Sequence, residues 1–491
     1  MDYNEIKNTA KAEPCASSMI ITLRAIGYNL ETAVADVIDN SISANAKNIW
    51  FNSVWEGSNS TITILDDGCG MNNEELLQAM VPGAKNPLDE RSEKDLGRFG
   101  LGLKTASFSQ CKKLIVVSKK AGYAPIYWIW DLNHVAQTNK WELIQSPIPN
   151  EYLHALDNLT SGTLIIWSDL DRLIPKNTAQ FNEKAKEKFL DQMDKVKKHL
   201  AMTFHRFIEE RIVKLFCWEH KIEPWNPFLL SEKATQSFPE EHIGEAVMKG
   251  YVLPHKSFLT EDIYKNAEGV SGWTNQQGFY VYRGKRLILA GDWLGLFRKE
   301  EHYKLVRIQI DLPNSLDSDW QIDIKKSTAR PPLGYREQIK KYALSVRSSG
   351  VQVFRHRGKI LTTRKQQEFQ PFWIEKKQGQ KYAFIINRNH IMINELKQLA
   401  TTEPSKAIDY LLRFIEETIP TKSIFIREAE QGETAEPFEN SNLNMLKAMI
   451  KQIVASQKAS GKNIEQIKVL LLNMEPFNNF PELIEIINND D

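Results

Sequence analysis

Three short motifs built from glycines and carboxylates follow one another within 70 residues of this chain, from Asp36 to Thr105. Their order constrains the fold more than any other feature. The first is Asp36-Val-Ile-Asp39-Asn40-Ser41, inside residues 30–43, whose apolar spacing predicts a helix. Asp36 and Asn40 are four apart and share one helix face. A carboxylate and an amide so placed can orient a water and hold Mg²⁺, which prefers oxygen ligands and keeps waters of its own. The second is Asp66-Asp67-Gly68-Cys69-Gly70-Met71, straight after the strand-like run 61–65. A carboxylate at a strand end can accept from an exocyclic amine, and the glycines let the backbone approach a flat ligand. The third is Gly97-Arg-Phe-Gly100-Leu101-Gly102-Leu-Lys104-Thr105, running into a helix-like stretch over 105–110. Glycines before a helix N-terminus offer N–H groups to phosphate, and Lys104 adds a cation. Alone, each has a plainer reading: a solvated helix face, an Asp-Gly turn or a glycine-rich loop.

Composition sets the outer bounds. A chain of 491 residues suggests about three domains. Lys+Arg (63) almost balances Asp+Glu (62), for a net charge of +1. That excludes a simple polycationic nucleic-acid binder but leaves room for a local basic face. No apolar run approaches the roughly 18 residues of a membrane helix. The opening residues carry no apolar core of the signal-peptide kind. Cys15, Cys69, Cys111 and Cys217 include no CxxC pair, which argues against zinc and against a disulfide framework. The expectation is a soluble, cytoplasmic, multidomain protein without a membrane partner.

Periodicity predicts an α+β chain. Helices are expected over 19–27, 30–43, 74–80 and 179–213, and strands over 47–52, 61–65, 114–118, 126–131 and 163–167. A second domain begins near the Pro- and Trp-rich segment 223–228, with strands over 278–289, 305–312 and 320–324 and a helix over 336–348. The C-terminal part mixes strands over 383–387 and 423–427 with helices over 406–417, 442–457 and 464–473, around a polar loop at 428–439. The aromatic-rich Phe369-Gln-Pro-Phe-Trp373 reads as a packing segment.

Taken together, the carboxylate–Asn helix, the strand followed by DxGxG and the glycine-rich loop resemble the GHKL ATPases, the group of gyrase B, the ninety-kilodalton heat-shock chaperones, MutL, MORC proteins and histidine kinases. Gly162-Thr163-Leu-Ile-Ile-Trp167 is similar to the group's late strand. The resemblance implies a Bergerat-type α/β sandwich over 1–175, a connecting helix and strand over 176–222, a transducer-like α/β domain over 223–355 and a C-terminal α/β region over 356–491. It implies ATP and Mg²⁺ as cofactors. Asn40 matches the Mg²⁺-binding residue and Asp66 the residue that binds the adenine amine. Gly68, Gly70 and Met71 match the turn against the base, and Thr163 the hydroxyl beside Asp66. Gly97, Gly100, Leu101, Gly102, Lys104 and Thr105 match the lid hinge and phosphate cradle, with a lid over about 82–96. Asp36 stands where active members place the Glu general base. Asp is one methylene shorter, so its carboxylate lies about 1.5 Å further back, a misplacement that can cost on the order of 10²-fold in rate. ATP hydrolysis is therefore expected to be slow.

Gln277-Gly-Phe-Tyr-Val-Tyr-Arg283-Gly-Lys-Arg286-Leu-Ile288 resembles a strand pair of MORC- and MutL-type transducer domains. In such proteins a lysine of the second domain senses the γ-phosphate. Lys325 and Lys326 are the candidates, and strand alternation leaves open which one points at the nucleotide. The resemblance is nearest to bacterial MORC-like ATPases, often found beside restriction-modification or phage-defence proteins. It implies an ATP-dependent homodimer that closes on DNA, with a polar N-terminal segment, 1–14, swapping across the dimer. The alternatives are a clamp on protein clients and a B-type subunit of a larger DNA-processing complex. A histidine kinase would lack the second-domain lysine, and no DQHAxxExxxxE metal motif is present to suggest DNA cutting. The one-signed stretch from Arg355 to Lys365 is the better candidate for phosphate contact, because the lysines over 184–198 are interleaved with acids.

Overall fold

A computed structural model describes residues 14–25, 27–83, 102–316, 319–322, 329–355, 372–378, 381–394, 408, 412–413, 415–416, 443–474, 477 and 480–485. The chain forms two compact units, Met1–Ile360 and Leu361–Asp491.

The first unit opens with α1 (Ala16–Arg24), α2 (Leu30–Ser43), β1 (Asn48–Val54), β2 (Thr61–Asp66), α3 (Asn73–Met80), α4 (Gly102–Gln110), β3 (Lys113–Lys119), β4 (Ile126–Asp131), α5 (Leu132–Thr138), α6 (Asn150–His154), β5 (Gly162–Ser168), α7 (Glu183–Thr203), α8 (His205–Glu209), β6 (Lys214–Cys217) and β7 (His220–Lys221). The strands form one sheet in the order β4-β3-β5-β2-β1-β6-β7. Only β1 and β6 run parallel; the remaining neighbours are antiparallel. β3 and β5 are buried on both faces, which is why both read as unbroken apolar runs. Leu114, Val116, Ile165 and Trp167 face the helices, while Ile115, Val117, Leu164 and Ile166 face a second cluster with Leu156. The helical face is closed by α1, α2, α4 and α7 through residues such as Ile20, Val34, Phe108 and Met193.

The second sheet has the order β12-β11-β13-β10-β8, with β9 pairing β10. Its strands are β8 (Gln236–Ser237), β9 (Glu241–Ile243), β10 (Ala246–Val252), β11 (Gly278–Arg283), β12 (Arg286–Asp292) and β13 (Val306–Leu312). The short helix α9 (Glu261–Ala267) lies between β10 and β11 in sequence, and α10 (Arg336–Arg355) follows the sheet. Alternation sorts β11 by face. Phe279 and Val281 enter the core shared with Ile339 and Val346 of α10. Tyr280 and Tyr282 face Phe228 and Met202. Met202 belongs to α7, whose Phe189, Met193, Val196 and Leu200 lie in the core of the first sheet. One helix thus seats both sheets.

Two expectations are corrected. The helix foreseen over 179–213 ends at Thr203, and a separate turn of helix follows. Phe204, fully buried at φ −108°, breaks it, and Arg211 at φ 56° turns the chain so that β6 can pair with β1. The apolar spacing runs on through the break, so periodicity could not show it. Of the strand foreseen over 320–324, residues 320–322 are described and are not a strand: a turn runs through 319–321, where Trp320 N–H donates to the Leu316 carbonyl at 3.0 Å and Gln321 has φ 47°. A strand cannot hold that φ.

In the second unit, β14 (Trp373–Gln378) and β15 (Lys381–Ile386) pair antiparallel. Helices α11 (Leu443–Ala459), α12 (Ile464–Leu472) and α13 (Pro481–Glu485) share a small core of Leu446, Ile450, Ile467, Leu471 and Ile484. Asn463 and Gln466 close a capping box at the start of α12. The expected elements over 423–427 and 428–439 lie outside the described residues. Among the described residues, no helix is long and apolar enough to cross a membrane.

Candidate functional site

The end of β2 carries the first half of the site. Asp66 is paired in register with Thr163 of β5 and Ile49 of β1, at the centre of the sheet. Its side chain is 4% exposed. Oδ2 accepts from the Ser41 hydroxyl at 2.7 Å, and Oδ1 accepts from the Gly68 N–H at 2.9 Å. Burial raises its pKa above the ordinary carboxylate value, while Ser41 and the N–H groups of Gly68 and Thr163 oppose that rise. The turn after Asp66 lies close against its neighbours. A Cβ on Gly68 would meet Ala44 Cβ at 2.9 Å. Gly70 has φ 61°, and a Cβ there would fall 1.9 Å from the Lys119 carbonyl oxygen. Met71 N–H donates to Ser118 Oγ at 2.9 Å, and Ser118 Oγ lies 3.0 Å from Thr163 Oγ1. Asp67 belongs to the scaffold: its carboxylate accepts from the N–H groups of Lys47 and Asn48, at 2.6 and 2.8 Å, and fixes the start of β1.

Helix α2 carries the second half. Asn29 caps it by accepting from Thr32 N–H at 2.9 Å. Residues 33–39 are all buried, with the sheet on one side and α4 and α7 around the rest, whereas Asn40 is exposed. Asn40 Nδ2 donates to the Asp36 carbonyl at 3.2 Å, so Oδ1 is the atom it can offer a cation. Asp36 and Asp39 turn towards the second sheet. Asp36 Oδ2 accepts from the Tyr28 hydroxyl at 2.8 Å. Its Oδ1 accepts from Arg286 Nη2 at 3.1 Å, and Arg286 Nε reaches Asp39 Oδ1 at 2.8 Å. Burial and then the Asp36 charge hold the Tyr28 hydroxyl well above its ordinary pKa, so it stays a donor at neutral pH. Burial works against the Arg286 charge, and the Asp39 and Asp36 carboxylates more than offset it.

At the start of α4, a Cβ on Gly102 would meet nothing within 4 Å among the described residues, and Thr105 is fully buried with its hydroxyl donating to the Gly102 carbonyl at 3.3 Å. Lys104 is 4% exposed, and its Nζ donates to the Ala79 carbonyl in the last turn of α3 at 2.9 Å. A cation at a helix C-terminus is favourable, so this contact joins α3 to α4. Gly97, Gly100, Leu101, Lys325 and Lys326 lie outside the described residues, as do the lid segment 84–96, the N-terminal residues 1–13 and the basic stretch 356–365.

A buried carboxylate at the end of a central strand, glycine turns beside it and an exposed Asn on the adjoining helix form one wall-and-floor arrangement. Residues 28–163 match the family described as histidine kinase-, DNA gyrase B-, and HSP90-like ATPase. This segment is a GHKL ATPase domain. Over 91 residues the chain is 31% identical to the ATPase morc-1 of Caenorhabditis elegans, covering 18% of this chain and 10% of that protein. Over 62 residues it is 39% identical to the DNA mismatch repair protein MutL of Clostridium beijerinckii, covering 13% of this chain and 9% of that protein. The chain thus spans about a tenth of the length of these curated relatives. The domain is MORC- and MutL-like within the GHKL group.

Sequence reasoning passed over several residues that bond to the candidate site. Ser41 stood at the end of the first motif, one place after Asn40, and adjacency was its only signal. Ser118 and Tyr28 carried no motif. Arg286 lay inside the strand pair singled out in the second domain, but no spacing rule joins it to Asp36, 250 residues away.

Proposed function

We propose that the GHKL domain binds ATP with Mg²⁺, hydrolyses it slowly, and gates a homodimer that closes on DNA. The observation that carries the reading is the Asp66 site: a buried carboxylate, held by Ser41 and Gly68, beside a backbone cradle that admits no Cβ at Gly70. Such a carboxylate accepts from the adenine amine, while Gly68, Gly70, Met71 and the Thr163–Ser118 hydroxyl pair line the base. Asn40 offers its amide oxygen to Mg²⁺, which neutralises phosphate charge when bound. Among the described residues, no group of three or more His, Cys, Asp or Glu could hold a metal unaided. An Asn, phosphates and waters suit Mg²⁺ chemistry without such a group. Gly97, Gly100, Leu101, Gly102, Lys104 and Thr105 belong to the phosphate side, and Lys325 or Lys326 senses the γ-phosphate.

Asp36 is the general base. It is shorter than the usual Glu, and both its oxygens already accept bonds, which supports slow turnover. The DNA part of the reading draws on the MutL relative, named for DNA mismatch repair. The MORC-like character supports work alongside restriction or phage-defence proteins. The test is the ATP hydrolysis rate with and without double-stranded DNA. Stimulation by DNA supports the reading, whereas stimulation by unfolded protein alone moves the function to a clamp on protein clients. Light scattering with and without a non-hydrolysable ATP analogue tests gating: an unchanged mass in both conditions sinks the dimer.

A further inference from the structure

We propose that Arg286 is a positioning residue for ATP hydrolysis, the group through which the second domain orients the Asp36 carboxylate. This rests on the reading of Asp36 as the general base. Arg286 is the first residue of β12 and is 4% exposed. Its planar guanidinium is held at three points: Nε on Asp39 Oδ1 at 2.8 Å, Nη2 on Asp36 Oδ1 at 3.1 Å and Nη1 on its neighbour's carbonyl, that of Leu287, at 3.3 Å. A rigid fork bound to the backbone of β12 and to Asp39 has no freedom to let Asp36 wander. Tyr28 fixes the other oxygen of Asp36 at 2.8 Å from the opposite side. The carboxylate plane is therefore set by two donors, one from each domain.

A purely structural role explains this fork poorly. Replacing a buried ion pair by apolar side chains of similar volume is often neutral or stabilising. The seam already holds apolar candidates: the Phe204 ring lies 5.8 Å from the Arg286 guanidinium, and Leu287 is buried beside it. What the ionic fork adds is direction. The nearby His199 does not compete for the two carboxylates, because burial and the Arg286 charge hold its pKa down to about 4 and keep it neutral. The seat of β12 is itself fixed to the first domain. Its partner strand β11 carries Tyr282, whose hydroxyl lies 2.8 Å from His205 Nε2 at the start of α8. A shift of the second sheet across α7 and α8 would carry Arg286, and with it Asp36.

The experiment measures kcat and the Kd of a non-hydrolysable ATP analogue for the full chain and for Arg286→Ala, Arg286→Lys and Asp36→Ala. For Arg286→Ala we expect kcat to fall by about 10²-fold, the scale of an ångström misplacement. Analogue Kd should stay within about threefold, since an interaction used only in the reaction leaves ground-state binding alone. Arg286→Lys should recover part of the loss, because one ammonium keeps the charge but not the fork. A wild-type kcat in Arg286→Ala, a Kd that weakens in step with kcat, or a Lys variant no better than Ala would each overturn the proposal. If Arg286→Ala does not fold, Arg286→Lys decides: reduced kcat at unchanged Kd supports the proposal, and wild-type kcat overturns it. Asp36→Ala separates the two readings. If it turns over normally, the general-base assignment fails. If it is inactive while Arg286→Ala is normal, only the positioning role fails.

Discussion

Asp66 and Asp36 are equally hidden, each 4% exposed, yet the two regions around them are built differently. Around Asp66 the partners all belong to the GHKL segment: Ser41 on α2, Gly68 in the following turn and, across the β2–β5 ladder, Thr163. Among the described residues its carboxylate is held by the Ser41 hydroxyl and by backbone N–H groups rather than by a cation. Around Asp36 the partners are Tyr28 and a full positive charge from the second domain. The end proposed to recognise the base is thus held by described residues of the GHKL segment, and the end proposed for chemistry is shared with the second sheet. Binding and turnover should separate under mutation, and the predictions below attack that separation from its largest expected effect downward.

Asp36→Ala should lower kcat by about 10²-fold or more, while ATP affinity stays near wild type. Rapid-quench turnover and calorimetry on the same preparation check both. Turnover at the wild-type rate would remove the contrast altogether. Asp36→Glu sharpens it. The added methylene restores the reach of the usual base, but it also pushes a carboxylate into space already bounded by Tyr28 and Arg286. We expect no gain in rate from this change alone. A gain would show that reach, rather than orientation by Arg286, limits the wild type.

Asp66→Asn should produce the converse pattern. The variant loses an acceptor for the adenine amine and places an amide donor there, at a cost of roughly 1–3 kcal/mol, or about 5- to 160-fold in affinity. Calorimetry on a folded variant reads it. An unchanged affinity means that Asp66 does not face the nucleotide.

The same division explains what was legible in the sequence. α2 was readable to its ends, Leu30–Ser43, because a capping Asn precedes a strong apolar period. β3, β4 and β5 were readable because their runs are apolar and bounded. Asp66, Gly68 and Gly70 were readable as a strand end and its turn because strand and turn chemistry are contiguous there. β10 was not foreseen: its Ala-Val-Met-Lys-Gly-Tyr-Val run holds a Gly against which Val346 and Tyr342 of α10 press, a contact with no local trace in the sequence. Arg286 was legible as part of a strand pair but not as a partner of α2, since ion pairing over 250 residues leaves no local trace. Lys104 read as a phosphate cation, and its Nζ donates to the Ala79 carbonyl at the end of α3.

Gly70→Ala tests the cradle rather than the carboxylates. A positive φ costs an L-residue roughly 1–2 kcal/mol, and the Lys119 carbonyl must also move to admit a methyl group. The expected result is a lower Tm together with weaker ATP binding, because the turn that closes against β3 and β5 is displaced. Wild-type Tm and affinity together would show that this turn neither supports the fold nor approaches the ligand.

The smallest effect concerns the nucleotide-free protein. Burial raises the Asp66 pKa in the folded state above its value in the unfolded chain. Keeping Asp66 ionised at neutral pH therefore costs folding free energy, and that cost disappears once both states are protonated, below the unfolded carboxylate value of about 3.9. Asn removes the titration while keeping the shape: its oxygen can accept from Gly68 N–H, and the Ser41 hydroxyl can turn to accept from its amide. Without nucleotide, Asp66→Asn should melt no lower than wild type at neutral pH. Its advantage should shrink as pH falls through the raised folded pKa and vanish in acid. Thermal melts across a pH series measure this. A variant less stable at neutral pH, by a margin that disappears in acid, would mean that Ser41 and Gly68 stabilise the ionised carboxylate more than burial penalises it. Asp66 would then be part of the scaffold rather than a buried acceptor held ready for a ligand.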